Sequence, residues 1–258
     1  MSTSILNTIS AHRAAAPRTV PLEVLQAQCA PLPPPPSFVD AFRGGGLHVI
    51  AELKKGSPSK GLIRADFHPC ALAEELEAAG AVALSILTEP EYFLGSLEYL
   101  QEVHACVKIP LLRKDFIITD YQIYEARAAG ASAILLIAAL LTPAQFRALH
   151  TLAESLQLAV LCEAHSADEA AMLLDHGAKI IGVNARNLHD FSVSTDASLK
   201  IIATLPPSVI RIAESGLQNA DDLRRFHDAG ADGFLIGETL MRAPSPGAKL
   251  HQLMSGVD

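Results

Sequence analysis

The chain has 258 residues, half of them hydrophobic, with 5% aromatics, no tryptophan and a net charge of −8. A core of Ala, Val, Ile and Leu suits parallel strands buried on both faces, and an acidic chain is a poor general nucleic-acid binder, which needs clustered Lys and Arg. The longest apolar run, Ala133 to Leu141, is too short for a bilayer span of ~20 residues, so no membrane partner is expected.

Met1 to Ala16 lacks the continuous apolar stretch of a secretory signal, and the expected location is cytoplasmic. Cys29, Cys70, Cys106 and Cys162 form no CxxC pair, which favours reduced thiols over a disulfide framework or zinc site. The histidines form no HExxH and no tight cluster, so no metal is expected.

Residues 1–47 stand apart as an extension. Ile5 to Ala16 can form a short helix. Pro31 and Pro33–Pro36 enforce a stiff, extended spacer. Phe38 to Phe42 reads as a second short helix, and Gly44–Gly46 as a turn into residues 48–258.

From there a repeat appears. Residues 78–87 (AAGAVALSIL), 128–137 (AAGASAILLI), 175–183 (DHGAKIIGV) and 228–237 (DAGADGFLIG) each join a helical end, a Gly-Ala and an apolar run. Gly80, Gly130, Gly177 and Gly230 fit left-handed helix caps, and the runs fit strands buried on both faces. The glycines recur about every fifty residues, twice the length of one strand-plus-helix unit, so a second set of strands is due midway. It is present at 48–53, 109–115, 158–164 and 209–215. Thr119–Gln122, Thr142–Gln145 and Ser166–Glu169 are capping boxes in the matching phase, and Pro143 suits a first helical position. Eight strands alternating with helices predict an α/β fold, a (β/α)8 TIM barrel with an N-terminal helical extension; an open doubly wound sheet is the alternative.

In such a barrel the site lies where the strands end. Strand one ends Glu52-Leu53-Lys54, strand three Arg113-Lys114-Asp115, strand five at Glu163, strand six Asn184-Ala185-Arg186 and strand seven Glu214-Ser215. Charges at the mouth of an apolar barrel are costly unless paired or functional, so they mark either a site or a structural ion-pair ring. Ser215-Gly216 after strand seven and Gly237-Glu238-Thr239 after strand eight suit a phosphate site, with backbone N–H groups facing the anion. The stretch from Lys54 to Gly61, with three lysines, suits a loop that closes over an anionic substrate. Together these residues predict an enzyme for a phosphorylated small molecule, working by Lys and Glu acid–base catalysis. No GxGxxG or P-loop is present, and no cofactor is expected.

At these positions the chain resembles the indole-3-glycerol-phosphate synthase family of tryptophan biosynthesis. The carrying blocks are VIAELKKGSPSKGLIR (49–64), LTEPEYFLGS (87–96), PLLRKDFIITDYQIYEAR (110–127), IIGVNARNLHDF (180–191), AESG (213–216) and FLIGETLM (234–241). The resemblance implies a carboxy-lyase that closes the ring of 1-(2-carboxyphenylamino)-1-deoxyribulose 5-phosphate with loss of CO₂ and water. It implies Lys114 as general acid at the ketone oxygen, Glu163 as base for dehydration and Lys54 at the substrate carboxylate, sharing acid duty. Glu52, Asn184 and Ser215 would order hydroxyls and catalytic groups. Arg186 would face the anthranilate carboxylate, Glu214 support the pocket, and Ser57, Gly216 and Gly237 bind phosphate. The extension matches a helix that covers the barrel mouth, and other tryptophan-pathway enzymes are admissible partners. Two positions depart from the usual Asn-Asn-Arg-Asp: Ala185 loses a polar side chain and Asn187 a charge, which puts the rigidity of that loop at issue. Another reaction on the same scaffold, such as a phosphorylated-sugar isomerase, fits the LLRKDF block poorly. A catalytically silent barrel would lack Lys114 or Glu163. Cys162 should point away from Glu163 along the strand and serve packing.

Overall fold

The computed structural model describes residues 5–187 and 191–256. Residues 188–190 of the 180–191 block, and the outer ends of the 1–47 and 48–258 segments, lie outside the described residues. Eight strands form a closed barrel: β1 (Val49–Leu53), β2 (Ala83–Leu87), β3 (Leu111–Lys114), β4 (Ala133–Ile137), β5 (Ala159–Ala164), β6 (Ile180–Asn184), β7 (Ile210–Glu214) and β8 (Gly233–Ile236). Each is parallel to its sequence neighbours, and β1 closes on β8 through Val49 opposite Phe234.

Before the barrel come α1 (Ile5–Ala14) and α2 (Leu22–Cys29). The helices of the repeat are α3 (Pro69–Ala78), α4 (Leu97–Cys106), α5 (Asp120–Ala128), α6 (Pro143–Ser155), α7 (Ala167–Asp175), α8 (Thr195–Thr204) and α9 (Ala220–Asp228), with α10 (Glu238–Met241) and α11 (Pro246–Ser255) after β8. Their phase follows from local chemistry. Thr119 and Thr142 close reciprocal capping boxes with Gln122 and Gln145. Ser166 caps α7, but Glu169 reaches back one residue further, to the backbone N–H of His165. All four repeat glycines have φ between 83° and 100°, the left-handed cap that a Cβ would strain. No described helix is long and apolar enough to cross a membrane.

Period-two alternation divides the strands between two apolar cores. Val49, Ala51, Leu84, Ile86, Leu136, Cys162, Ile181 and Ala213 face the helices in one cluster. Ile50, Ala83, Leu112, Leu135, Leu161, Ile180, Ile212 and Leu235 fill the barrel in the other. The extension joins the inner cluster at two places. Leu6 and Ile9 of α1 are buried with Phe116 and Ile137 toward the strand ends, and Phe38 and Phe42 with Ile50 and Ile212 toward the strand starts. Phe42 packs on Phe38 and His48 at ring separations of 5.5 and 5.9 Å. Between them, α2 lies along α5.

Three expectations change. The Phe38–Phe42 segment is a single 3-10 turn, Asp40–Phe42, while the extension's second helix is α2, whose short apolar pattern lies between Pro21 and Pro31. The Lys54–Gly61 stretch contains a small antiparallel hairpin, Gly56–Ser57 with Gly61–Leu62. Cys70 and Cys106, expected as thiols, are joined in a disulfide, whereas Cys29 and Cys162 are free. The 36-residue separation hides the pairing, because it spans one repeat unit and returns the chain to the adjacent helix with Cα atoms 6.1 Å apart.

Candidate active site

The odd strands carry an apolar layer, Ile50, Leu112, Leu161 and Ile212, inside the barrel. Two residues further along, alternation returns to the interior at Glu52, Lys114, Glu163 and Glu214. These four line the floor of one pocket of about 690 Å³ at the C-terminal ends of the strands, within the size range of small-molecule sites. The layer of the barrel that would ordinarily be aliphatic is here one ammonium among three carboxylates. A glycine on β6 and another just past the end of β8 make room for it. A methyl group on Gly182 would collide with the Glu214 carboxylate, and one on Gly237 with that of Glu52.

Lys114 Nζ lies 3.4 Å from Glu163 Oε2 and 3.8 Å from Glu214 Oε2. Burial pushes the Lys114 ammonium toward deprotonation, but Glu163, Glu214 and Glu52 outweigh it and hold its pKa above the ordinary lysine value. Burial likewise opposes ionisation of Glu163, yet Lys114, His165 and hydrogen bonds from Glu214 and Asn184 keep it charged, below its ordinary value. Glu214 goes the other way: burial and the neighbouring Glu163 charge hold it protonated well above the carboxylate range. Two carboxyls share the space and only one ionises, so their titration belongs to the pair. Lys54, one alternation above Glu52 on the same face, contacts its Oε2 at 2.5 Å.

His165 continues the inward face of β5 behind Glu163. Its Nε2 is 3.4 Å from Glu163 Oε1 and its Nδ1 3.7 Å from Glu169 Oε2. Burial lowers its pKa, but the bond to Glu169 and the charge of Glu163 raise it further, to a net value above the usual one.

All eleven residues singled out in the sequence line this pocket: Glu52, Lys54, Ser57, Lys114, Glu163, Asn184, Arg186, Glu214, Ser215, Gly216 and Gly237. Asn184 accepts the backbone N–H of Arg186 through Oδ1, which orients its amide. Ser215 and Gly216 are consecutive left-handed residues, with φ of 67° and 76°. For Ser215 this conformation costs ~1–3 kcal/mol and persists only where the surroundings enforce it, as at ligand sites. The loops after β7 and β8 are tied together by Thr239 Oγ1, which donates to Leu217 O at 2.7 Å. At the Ala185 departure the backbone is bonded on both sides: its N–H donates to Glu214 O and its carbonyl accepts from the Ser194 N–H. Cys162 faces the helices, as expected.

Sequence reasoning nominated no residue for the pocket's apolar wall. Phe93, Phe116, Leu135 and Ile137 provide it, a surface suited to an aromatic ring. Phe93 is set by Glu89, whose carboxylate accepts three successive N–H groups, from Glu91, Tyr92 and Phe93. Both lie in the 87–96 block, which was the available signal. Lys60 and Arg242 add cations near the mouth, each beside Glu238.

The fold and site can be set beside known proteins. The family model described as indole-3-glycerol phosphate synthase matches residues 3–253. The indole-3-glycerol phosphate synthase of Koribacter versatilis is 54% identical over 209 residues, covering 81% of this chain and 80% of that protein. The one from Chromobacterium violaceum is 44% identical over 257 residues, covering 96% and 97%. Among solved structures, a 3-hexulose-6-phosphate synthase superposes with a TM-score of 0.67 at 13% identity, over 82% of this chain and all of that one. A thiamine phosphate pyrophosphorylase from Pyrococcus furiosus gives 0.61 at 18% identity, over 82% and 95%. These two likenesses are of fold alone.

Proposed function

The chain belongs to the indole-3-glycerol phosphate synthase family, carboxy-lyases of tryptophan biosynthesis, and from that premise we propose how its residues divide the chemistry. The reaction converts 1-(2-carboxyphenylamino)-1-deoxyribulose 5-phosphate to indole-3-glycerol phosphate, CO₂ and water. The observation that carries the division is the single ionised layer in which Lys114 stands between Glu163 and Glu214 at the pocket floor.

Lys114 is the general acid at the ketone oxygen. The surrounding carboxylates hold its pKa above the ordinary lysine value, so it is charged when substrate arrives. Its contacts of 3.4 and 3.8 Å are long for ion pairs, so the ammonium can turn toward a substrate oxygen. Glu163 is the base for dehydration. While Lys114 is charged, Glu163 is a weak base; once Lys114 gives its proton away, the cation that depressed Glu163 is gone and its basicity rises. The pair thus acts in sequence, acid first and base second.

Lys54 and Arg186 offer cations to the substrate carboxylate, and the apolar wall with Phe93 and Phe116 takes the anthranilate ring. Glu52, Asn184 and Ser215 order hydroxyls; Ser57 and the backbone at Gly216 and Gly237 hold the phosphate. Gly237 has a second duty, room for Glu52. The 1–47 extension closes both poles of the 48–258 barrel, α1 at the mouth and Phe38 with Phe42 at the base, as one structural domain. A cytoplasmic enzyme, drawing its substrate from solution or from another enzyme of the pathway, is the setting this chemistry implies.

The test is turnover of authentic substrate by the purified chain, without added metal or nucleotide. Because the chain has no tryptophan, the product's indole absorbance and fluorescence rise from a clean background. Absence of that signal would remove this reading.

A further inference from the structure

The stoichiometry of the reaction sets a proton requirement. The ring carboxylate leaves as CO₂ and its bonding pair returns to the ring. The ketone oxygen leaves as water and so collects two protons. The methylene carbon beside the nitrogen releases one. The Lys114–Glu163 pair therefore ends each turnover one proton short, with an amine and a carboxylate, and solvent supplies that proton either through the pocket once product has left or, before that, by a route behind the ligand.

A route lies behind the substrate. Glu163 turns a different oxygen to each side: Oε2 is hydrogen-bonded to Lys114 Nζ and Oε1 faces His165 Nε2, each at 3.4 Å, and Nε2 is buried with no hydrogen-bond partner among the described residues, so a small turn of either side chain closes that link. His165 is likewise two-sided, with Nδ1 directed at Glu169 Oε2, 3.7 Å away. Side-chain exposure climbs along this chain, from 1% at Glu163 to 16% at His165 and 27% at Glu169. His165 does not line the pocket, so a bound substrate leaves it untouched. Glu169 is fixed in place: it is the third residue of the Ser166-capped helix α7, and the same Oε2 accepts the His165 N–H at 2.6 Å. The charged groups facing His165 are Glu163, Glu169 and, beyond Glu163, Lys114.

We propose that His165, with Glu169, is the proton relay that recharges the Lys114–Glu163 pair from solvent, an inference that rests on the reaction assigned above. His165 donates from Nε2 to Oε1 of Glu163. The Glu163 carboxyl turns to bring that proton to the Lys114 nitrogen, the solvent proton enters His165 at Nδ1 by way of Glu169 as Nε2 gives its own away, and proton exchange with solvent returns the imidazole to its starting tautomer. Lysine returns to ammonium and glutamate to carboxylate, with one solvent proton consumed.

His165→Ala is the direct test, assayed with and without imidazole. The expected result is a kcat about tenfold lower with KM within about twofold, partial recovery with imidazole, and a larger solvent deuterium isotope effect on kcat. The deficit should widen as pH rises and solvent acid becomes scarce. Glu169→Gln, further from the pocket and half-exposed, is the second variant, expected to lose about threefold in kcat with the same pH trend. Parental kcat in both variants would overturn the relay, and so would a loss in His165→Ala that imidazole leaves unchanged and that carries the parent's isotope effect. A parent protein that forms no indole product would overturn the reaction itself; an active parent with indifferent variants overturns only the relay.

Discussion

Arg113 and Lys114 are adjacent in the chain and face opposite sides of β3. Arg113 points toward the helices and is 1% exposed; its guanidinium donates to Thr88 Oγ1, Gln122 O and Asp115 Oδ2 at 3.0, 2.8 and 3.1 Å, and pairs with Glu125 at 2.7 Å. Asp115 in turn accepts from Thr88, from the Phe116 N–H and from Arg13 of α1. The Arg113 guanidinium and the Asp115 carboxylate are thus matched at short range, as a buried structural ion pair must be. Among the described residues Lys114 is met by the long contacts to Glu163 and Glu214, with the pocket in front of it. Two cations one residue apart thus differ in how completely they are satisfied. The fully satisfied one holds the extension, β3 and α5 together, and the partly satisfied one is free to react.

Substitutions on the two faces should separate activity from stability. The largest effect is expected for Glu163→Gln, which keeps the shape but loses the base: kcat about 10³-fold lower with little change in melting temperature. Comparable stability loss with retained activity would erase the distinction. Arg113→Met should do the reverse, costing about 3–5 kcal/mol because Asp115 and Glu125 lose their cation. Denaturant unfolding measures it, with the surviving folded fraction turning over normally.

The smallest effect concerns Glu214. Its folded pKa is raised, so the native state keeps a proton that the unfolded chain releases. Its contribution is full below the ordinary glutamate range and is lost as pH rises through the folded value. Glu214→Gln stays neutral throughout and should melt higher by about 2–4 °C for each kcal/mol regained, with the gain larger at about pH 8 than at about pH 5. A gain that shrinks with pH would contradict a protonated Glu214.

Much of this could be read from the chain. The Gly-Ala repeat gave the strand phase because a left-handed cap and a doubly buried strand leave local marks, and that phase put Glu52, Lys114, Glu163 and Glu214 at one pole. What stayed hidden is pairwise and three-dimensional. That the four charges occupy one layer depends on barrel closure, and the need for Gly182 and Gly237 depends on which carboxylate stands opposite. The Cys70–Cys106 bridge depends on neighbouring helices. The Asn219 box of α9 was legible but overlooked, since Asp replaces the usual Glu or Gln at its third position. His165 stands one residue past the strand-five run and carried no mark of its own, since its two-sided contacts exist only once α7 brings Glu169 back.

The most direct measurement is Lys114→Ala, assayed for single-turnover indole formation alongside its melting curve. Loss of product formation by about 10³-fold or more in a protein that still unfolds cooperatively near the parent temperature is the expected result. Near-parental turnover, or collapse of the fold, would contradict a division in which Lys114 reacts and Arg113 holds the barrel together.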